Sequence, residues 1–436
     1  MRRLLSALLC LLLLLTAAGC GSTAPASGAA ADPSEKPEPA AAEAEAPPSP
    51  SPSPTPTPAP TPTPEPTSVP IQILDRTFAS LDEEIDLAGM TDEDAEAVAD
   101  ALRKMPALRL LHLGEQRKTP LTWDSITLLH EAAPAAEIDY EFHIKDRYLN
   151  LRDEVLDLRY VRMEDDTLAR QIAACMVNLK TLDMDGCCLP NETMAALRDD
   201  MPDVEVIWRV NFGRYYSVRT NVERILASMP GKAGNLVHNN VKNLQYCTKV
   251  KYLDLGHNNY LDTIEFVRYM PDLEVAILAL NCVEDFSPLA DCPKLEYLEL
   301  FNTHLHDLRP LAELKNLKHL NICFNFAIRD ISPLYGLTQL ERLWIGKHCP
   351  VSPEQIAEMQ RCAPNCEINT TAPDPTEEGW RAHKNPDGSL SRYEILRRQF
   401  GYQESDFAYY WNDPYYSSGA EAPEPDDVKD FVFYES

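Results

Sequence analysis

An α/β solenoid built from short parallel strands is the fold this sequence predicts, and two observations carry it. From residue 250 the apolar residues return every 22 to 23 residues, with strand-like segments starting at Val250, Leu273, Leu295, Leu317 and Leu340. Two of these segments also follow a proline by two residues, Leu273 after Pro271 and Leu295 after Pro293. A period of this length marks one supersecondary unit that cannot bury its apolar face alone and must stack on its neighbours. The strands are expected on the inner, concave side, with helices or 3₁₀ turns on the convex side and a disordered stalk ahead of them.

Residues 1–20 read as a secretory signal. Arg2 and Arg3 precede an apolar run from Leu4 to Leu15, too short to span a bilayer, and Ala17-Ala18-Gly19 supplies small residues before Cys20. This stretch resembles the lipobox of bacterial lipoproteins, with Ala17 where that pattern usually carries leucine. The resemblance implies that Cys20 receives a diacylglycerol and becomes the mature N-terminus. The protein is then expected at the cell surface, anchored by lipid to the outer face of the cytoplasmic membrane.

Residues 21–70 hold almost no large apolar side chains and end in alternating proline, so they cannot offset the entropy of folding and are expected to form a disordered linker. Its proline-dense half favours polyproline II at about 3.1 Å per residue, a stalk on the order of 70 Å. The formal charge of -28 argues against nucleic acid as a partner, since that role demands clustered Lys and Arg. It also argues against lying on anionic lipid, leaving the anchor as the expected membrane contact.

Residues 71–249 are expected to hold longer, divergent repeats. Thr91 to Asp94 and, later in the chain, Ser352 to Gln355 have the form of capping boxes that open helices. Val98, Leu102 and Met105 share one helical face, as do Leu168, Ile172 and Cys175. The proline rule continues here: Pro106 precedes Leu108, Pro134 precedes Ala136 and Pro202 precedes Val204. A longer self-similarity overlies this. Residues 71–87 and 142–158, offset by 71, agree at seven of 17 positions, among them Asp75/Asp146, Arg76/Arg147 and Asp86/Asp157. A shorter third copy starts at Val210. These segments are expected to be strand-turn-strand insertions between repeats.

Residues 250–369 form the regular part. Apolar residues fall at positions 1, 4 and 6 of each period, as in Leu295, Leu298 and Leu300, and position 9 is Asn258, Asn281, Thr303, Asn325 and His348. Positions 4 and 6 alternate as a short strand requires, so both point into the core. An Asn at position 9 can satisfy backbone groups with its amide where the chain turns. Asn258, Asn281 and Asn325 are thus expected to form a structural ladder, with a hydroxyl serving at Thr303. The pattern LxxLxLxxN resembles the leucine-rich repeat, and the D-x-x-P-L element of the second half-period resembles its 22-residue bacterial class, typified by internalins. That likeness implies short 3₁₀-like backs instead of full helices, and a binding surface as the function.

Residues 370–436 are expected to be a C-terminal cap or tail with one short helix. His383-Lys-Asn385-Pro-Asp387-Gly388, followed by Glu394, has the spacing of a calcium loop, but His383 stands where aspartate should, and a neutral imidazole is a poor ligand for a hard cation. The reading preferred is a turn at residues 385–388 with Ser391 capping a helix. From residue 402 the chain is aromatic and then acidic, suited to a cap over exposed core or to a patch that stacks on sugars.

The standard enzyme and metal signatures are missing from the sequence, so catalytic residues, metal ligands and cofactors are not assigned. Of twelve cysteines, Cys10 lies in the signal and Cys20 at its end. The other ten mostly sit where the repeat wants a small hydrophobe and read as core thiols, while Cys349, Cys362 and Cys366 are placed where a bridge could seal the last repeat. Residues that point outward from the strands specify the candidate ligand surface: Tyr252, His257, Tyr297, Glu299, Phe301, His319, Phe324 and Trp344. Aromatic residues are enriched at interfaces, which favours a non-catalytic binding protein for a protein or glycan ligand. The alternative is an envelope enzyme or cell-wall factor whose activity lies in the C-terminal segment.

Overall fold

The computed structural model describes residues 67–212, 216–227, 236, 241–373, 375 and 379–399. Cys20, nearly all of the linker and the aromatic tail from 402 lie outside the described residues. The first described residues are already paired. β1 (Pro70–Ile73) runs antiparallel to β2 (Arg76–Ala79). Just ahead of them Val69 donates to Ser80 Oγ at 3.0 Å and accepts from Ser80 N–H at 2.8 Å. The folded part therefore starts before the expected linker end at 70. Ile71 and Ile73 alternate into the core, and Pro70 is tolerated because it is the first residue of its strand.

Three hairpins stand at the three self-similar segments. β1 and β2 lead into β3 (Glu84–Asp86), α1 (Ala95–Leu102), β4 (Leu110–Glu115), α2 (Trp123–Ala132) and β5 (Glu137–Ile144). The end of β5 turns back as β6 (Arg147–Asn150). The same order then recurs in β7 (Val155–Asp157), α3 (Thr167–Cys175), β8 (Thr181–Asp183), α4 (Asn191–Asp200) and β9 (Glu205–Ile207). The third hairpin is β10 (Arg209–Phe212) with β11 (Tyr216–Arg219). The arginines shared by the first two copies act alike. Arg147 Nη1 donates to the Arg159 carbonyl at 2.8 Å and Arg76 Nη1 donates to the Asp86 carbonyl, each pinning a hairpin to the strand that follows.

The helices begin and bury as the pattern requires. Thr91 N–H donates to Asp94 Oδ2 at 2.8 Å ahead of α1, and Val98, Leu102 and Met105 are buried, as are Ile172 and Cys175. Leu168 packs against the same core but is only partly buried.

The regular sheet has seven parallel strands: β12 (Arg224–Leu226), β13 (Tyr252–Asp254), β14 (Val275–Ile277), β15 (Tyr297–Glu299), β16 (His319–Asn321), β17 (Arg342–Trp344) and β18 (Glu367–Asn369). It starts at Arg224, ahead of the boundary expected at 250. Its register is constant, so Leu253, Ala276, Leu298, Leu320, Leu343 and Ile368 stand in one row. With the position-6 residues they line a single core that runs from Ile71 to Cys366. Each fully buried leucine contributes roughly 1.5–3 kcal/mol. This is a leucine-rich-repeat solenoid.

Its back changes along the chain, from α-helices in the first half to 3₁₀ turns at Ser287–Asp291, Arg309–Glu313 and Ser332–Gly336. The D-x-x-P element explains the change. The carboxylates of Asp285, Asp307 and Asp330 accept the N–H two residues on, at 2.8, 3.0 and 2.8 Å, which opens each turn. Proline follows in the first turn, where its missing N–H has no partner to lose. After the last regular strand but one, α5 (Pro353–Cys362) restores a helix, with Ser352 Oγ accepting from Gln355 N–H at 3.3 Å.

The ladder at position 9 is uneven. Asn325 Nδ2 reaches the carbonyls of Leu300 and Ile322 at 2.8 and 2.9 Å, and its Oδ1 accepts from Thr303 N–H at 3.1 Å. Asn258 does the same with Ala227 and Leu255, both at 2.9 Å. Asn281 Oδ1 accepts from Asn258 N–H at 3.1 Å, but its buried Nδ2 has no partner. The Thr303 hydroxyl lies 3.0 Å from the Leu300 carbonyl. In the last repeat Cys349 replaces the expected His348, its thiol donating to the Ile322 carbonyl at 3.3 Å. The turn comes one residue early there, at Gly346 with φ +68°.

Candidate binding face

Positions 3 and 5 of each repeat turn away from the solenoid core, onto what is here termed the front face of the sheet. Tyr252, Val275, Tyr297, His319 and Arg342 make one row, and Asp254, Ile277, Glu299, Asn321 and Trp344 the next. The apolar members form a second side-chain cluster, distinct from the main core, which also takes in Phe301, Trp380, Tyr393 and Leu396. The strand register is thus as expected, whereas the exposure is not. Tyr252, Tyr297, Glu299, Phe301, His319 and Trp344 should face solvent by the strand pattern, and all six are buried.

What covers them is the chain's own C-terminal segment, described over residues 379–399 and here termed the strap. It ends in α6 (Arg392–Gln399). Trp380 is fully buried against Tyr297 and Trp344, with ring centroids 5.4 Å from each. Arg342 lies with its guanidinium 4.4 Å from the Trp344 ring and 4.9 Å from the Trp380 ring. It also donates to the carbonyls of Trp380 and Gly379 at 3.0 and 2.8 Å. Toward the earlier repeats, Tyr393 and Leu396 close over Tyr252, Val275 and Ile277, with a small void of about 10 Å³ between them. Arg392 reaches Glu296, which Lys318 also approaches at 3.1 Å.

Glu299 is the polar centre. Its side chain has no solvent exposure, and it accepts from Tyr297 Oη at 2.6 Å, Trp380 Nε1 at 2.8 Å and Arg381 Nε at 3.0 Å, with a second Arg381 contact through Nη2. Burial alone would raise its pKa, but the Arg381 charge and these hydrogen bonds outweigh it and hold the carboxylate below its usual range. Arg381, desolvated yet bound to Glu299, is pushed further above its ordinary value.

Three neighbouring groups lack such compensation. Asp254 is buried and accepts from the Gly256 N–H at 3.0 Å, and burial, only partly offset by that bond and the Arg381 charge, lifts its pKa to about 7. His319 is 3 % exposed, neither ring nitrogen has a hydrogen-bond partner among the described residues, and Glu341 stands off at 3.7 Å. Burial, with the charges of Arg342, Arg392 and Lys318, pushes that imidazole down to about 3, so it is neutral. Trp344, 0 % exposed, has an indole N–H with no acceptor.

His257 and Phe324 occupy position 8, at the ends of the strands, where φ is +61° and +59°. Leu280 and Asn302 share this left-handed geometry at +59° and +51°. Half-buried His257 is lowered in pKa by burial and by Arg381. Phe324 stacks on His348 with centroids 4.2 Å apart, and the exposed Phe326 lies 6.3 Å from it. The front face of the earlier strands is different in kind. There the Asp185–Arg209 pair is bidentate at 2.8 and 2.9 Å, and His112 lies between Glu84 at 2.8 Å and Asp139 at 2.7 Å.

The calcium-like loop is closed by protein. His383 Nδ1 lies 2.8 Å from Glu394, whose carboxylate also takes Arg398 at 2.6 Å. Gly388 N–H donates to the Asn385 carbonyl at 2.9 Å, and Ser391 Oγ accepts from Glu394 N–H at 3.1 Å, which is a turn followed by a capped helix. No group of three metal-ligating side chains occurs among the described residues. His383 and Glu394 form an acid-base pair, but the Ser391 hydroxyl beside them is engaged by the Ala382 carbonyl and by Glu394 N–H. A nucleophile activated by that pair is therefore not assembled there.

No family model matches the chain, and no curated protein matches it. Among solved structures it is similar to an internalin (InlF) of Listeria monocytogenes, at 16 % identity over 64 % of this chain and 66 % of that one, with a TM-score of 0.28. Internalin C2 of the same organism gives 18 % identity over 65 % and 84 %, with a TM-score of 0.28. A leucine-rich repeat protein of Leptospira interrogans gives 20 % identity over 62 % and 74 %, also at 0.28. The chain spans just under two thirds of the first of these.

Residues that the repeat pattern does not single out carry much of the site: Trp380, Arg381 and Tyr393 from the strap, and Asp254 and Arg342 from the sheet. Two signals in the sequence point to them. Asp254 shares position 5 with two other polar residues, Glu299 and Asn321, and Trp380-Arg381 puts a large aromatic residue into a largely polar segment.

Proposed function

We propose that this protein is a non-catalytic binding protein of the cell surface, held to the membrane by a lipid on Cys20 and by a proline-rich stalk, and that it uses its solenoid to recognise a protein or glycan. One observation carries the reading. The front face of the regular sheet bears an aromatic and charged cluster separate from the solenoid core, with buried hydrogen-bonding groups left over at His319 and Trp344. A solenoid needs no second core for stability, whereas convergent aromatic and polar groups are what a recognition site requires. The acidic charge disfavours nucleic acid. The reading of the C-terminal segment as an enzyme loses support, since Trp380, Tyr393 and Leu396 are buried against the sheet.

The test has two arms. Cells fed a clickable fatty acid should label the wild-type chain and not Cys20→Ala. The soluble chain should bind one protein or glycan of the envelope saturably, with affinity lost in Trp344→Ala while its circular dichroism is retained. An unlabelled wild-type chain refutes the anchor, and binding that is indifferent to Trp344 refutes the face.

A further inference from the structure

We propose that the strap is a displaceable occupant of the front face, and that the ligand replacing it is a peptide segment in which an aromatic residue is followed directly by arginine. This rests on the reading of the front face as the recognition site and names the chemistry that site accepts.

Three observations lead there. First, the strap adds no strand to the sheet. Its isolated bridge, Lys384 with Leu390, is internal to the strap. It is held to the sheet by side chains at Trp380, Arg381, Arg392, Tyr393 and Leu396, with two carbonyls taken by Arg342. Attachment of this kind can be exchanged for an equivalent set of side chains without breaking a ladder.

Second, the floor is complementary to the pair Trp380-Arg381 in detail. Tyr297, Trp344 and the Arg342 guanidinium form an aromatic and cationic slot for the indole, and Glu299 receives both the indole N–H and the guanidinium. A buried, fully liganded carboxylate in a chain of charge -28 makes an arginine-bearing segment the matching partner.

Third, the strap fits imperfectly. Among the described residues it leaves both ring nitrogens of His319 and the Trp344 indole N–H buried without partners, and it leaves Asp254 without a direct ion pair. A segment with the same aromatic-arginine anchor, a carbonyl or carboxylate over His319 and a second basic group over Asp254 satisfies the floor better than the strap does, and such a segment displaces it.

The experiment uses the full chain and a fluorescent synthetic peptide of residues 379–399, titrated by anisotropy. The chain carrying Trp380→Ala and Arg381→Gln has a weakened strap and should bind this peptide at least tenfold more tightly than wild type. Adding Glu299→Gln to the chain, or Arg381→Gln to the peptide, should remove that gain. Equal affinity of the wild-type and weakened chains overturns the proposal. The fatty-acid label does not depend on strap opening, and Trp344-dependent binding of an envelope partner to the strap-weakened chain tests the face whether or not the wild-type strap opens, so those results judge the recognition reading separately.

Hydrogen exchange on unsubstituted protein guards against a variant that misfolds. Amides of 392–399 should exchange at least tenfold faster than those of β14 to β16. Exchange of both at one rate would mean that the strap opens only with the solenoid, which also overturns the proposal.

Discussion

Replacing Asp254 with asparagine should change the stability of the folded chain by an amount that depends on pH and favours asparagine only at high pH. An unfolded aspartate titrates near 3.9, and burial lifts Asp254 to about 7. Between these values the folded state holds a proton that the unfolded state gives up, so stability falls as pH rises through the window, and the loss is complete above about pH 7. Three pH units at about 1.4 kcal/mol each put that loss on the order of 4 kcal/mol. Asparagine cannot ionise, and its Oδ1 keeps the Gly256 N–H now bonded at 3.0 Å. Its new NH₂ group is buried without an assured acceptor, at a cost of about 1–3 kcal/mol. Asp254→Asn should therefore be equal to or less stable than wild type at pH 4.5 and more stable by about 1–3 kcal/mol at pH 8. Urea melts of both chains across that range measure this directly. Parallel curves of stability against pH would refute the reasoning, because they would mean that Asp254 is not held away from water in the folded chain.

Asn325→Ala removes bonds to two carbonyls and to the Thr303 N–H, and should cost about 2–4 kcal/mol in a urea melt. Asn281→Ala should cost about 1 kcal/mol, since the amide nitrogen it removes is unpaired. Gly346→Ala places a Cβ at φ +68°, 2.9 Å from Cys323 Sγ and 3.2 Å from the Ala372 carbonyl. It should lower stability by about 2–4 kcal/mol, part of which Cys323→Ala restores in a thermal melt. Alkylation of the native chain should modify exposed Cys188 first, while Cys247 and Cys292, buried and pushed up to about 12, should react only on unfolding. Mass measurement in denaturant without reductant should find all ten thiols open to alkylation, and a count two lower would show one bridge.

The solenoid was legible because its cause is local. Leu298 and Leu300 sit two apart, Leu320 and Ile322 repeat them after 22 residues, and nothing distant is needed to infer that they share a core. The hairpins were visible as repetition before they were interpretable as structure, and the pinning role of Arg76 and Arg147 emerges only once the following strand end is placed beside them. The outward register of Tyr297 and Trp344 was legible for the same reason as the leucines, since alternation fixes which side a strand residue takes. Their burial was not. It depends on Trp380, Tyr393 and Leu396, which follow no period, lie in a segment dominated by polar residues, and meet partners far away in sequence, as Trp380 meets Glu299 81 residues before it. A strand pattern says which way a side chain points and is silent about what arrives later to cover it.

The strap also changes how the repeats share their stability. An array in which every unit touches only its neighbours frays from its ends, and its stability is close to a sum of unit and interface terms. Here one segment touches Tyr252 near the start of the regular array and Arg342 near its end. Those two repeats are thereby coupled without passing through the three between them, and the array behaves as a closed circuit instead of an open chain. Loosening the strap should therefore do more than bare a surface: it should turn one all-or-none unfolding transition into a graded one that begins at the C-terminal repeat.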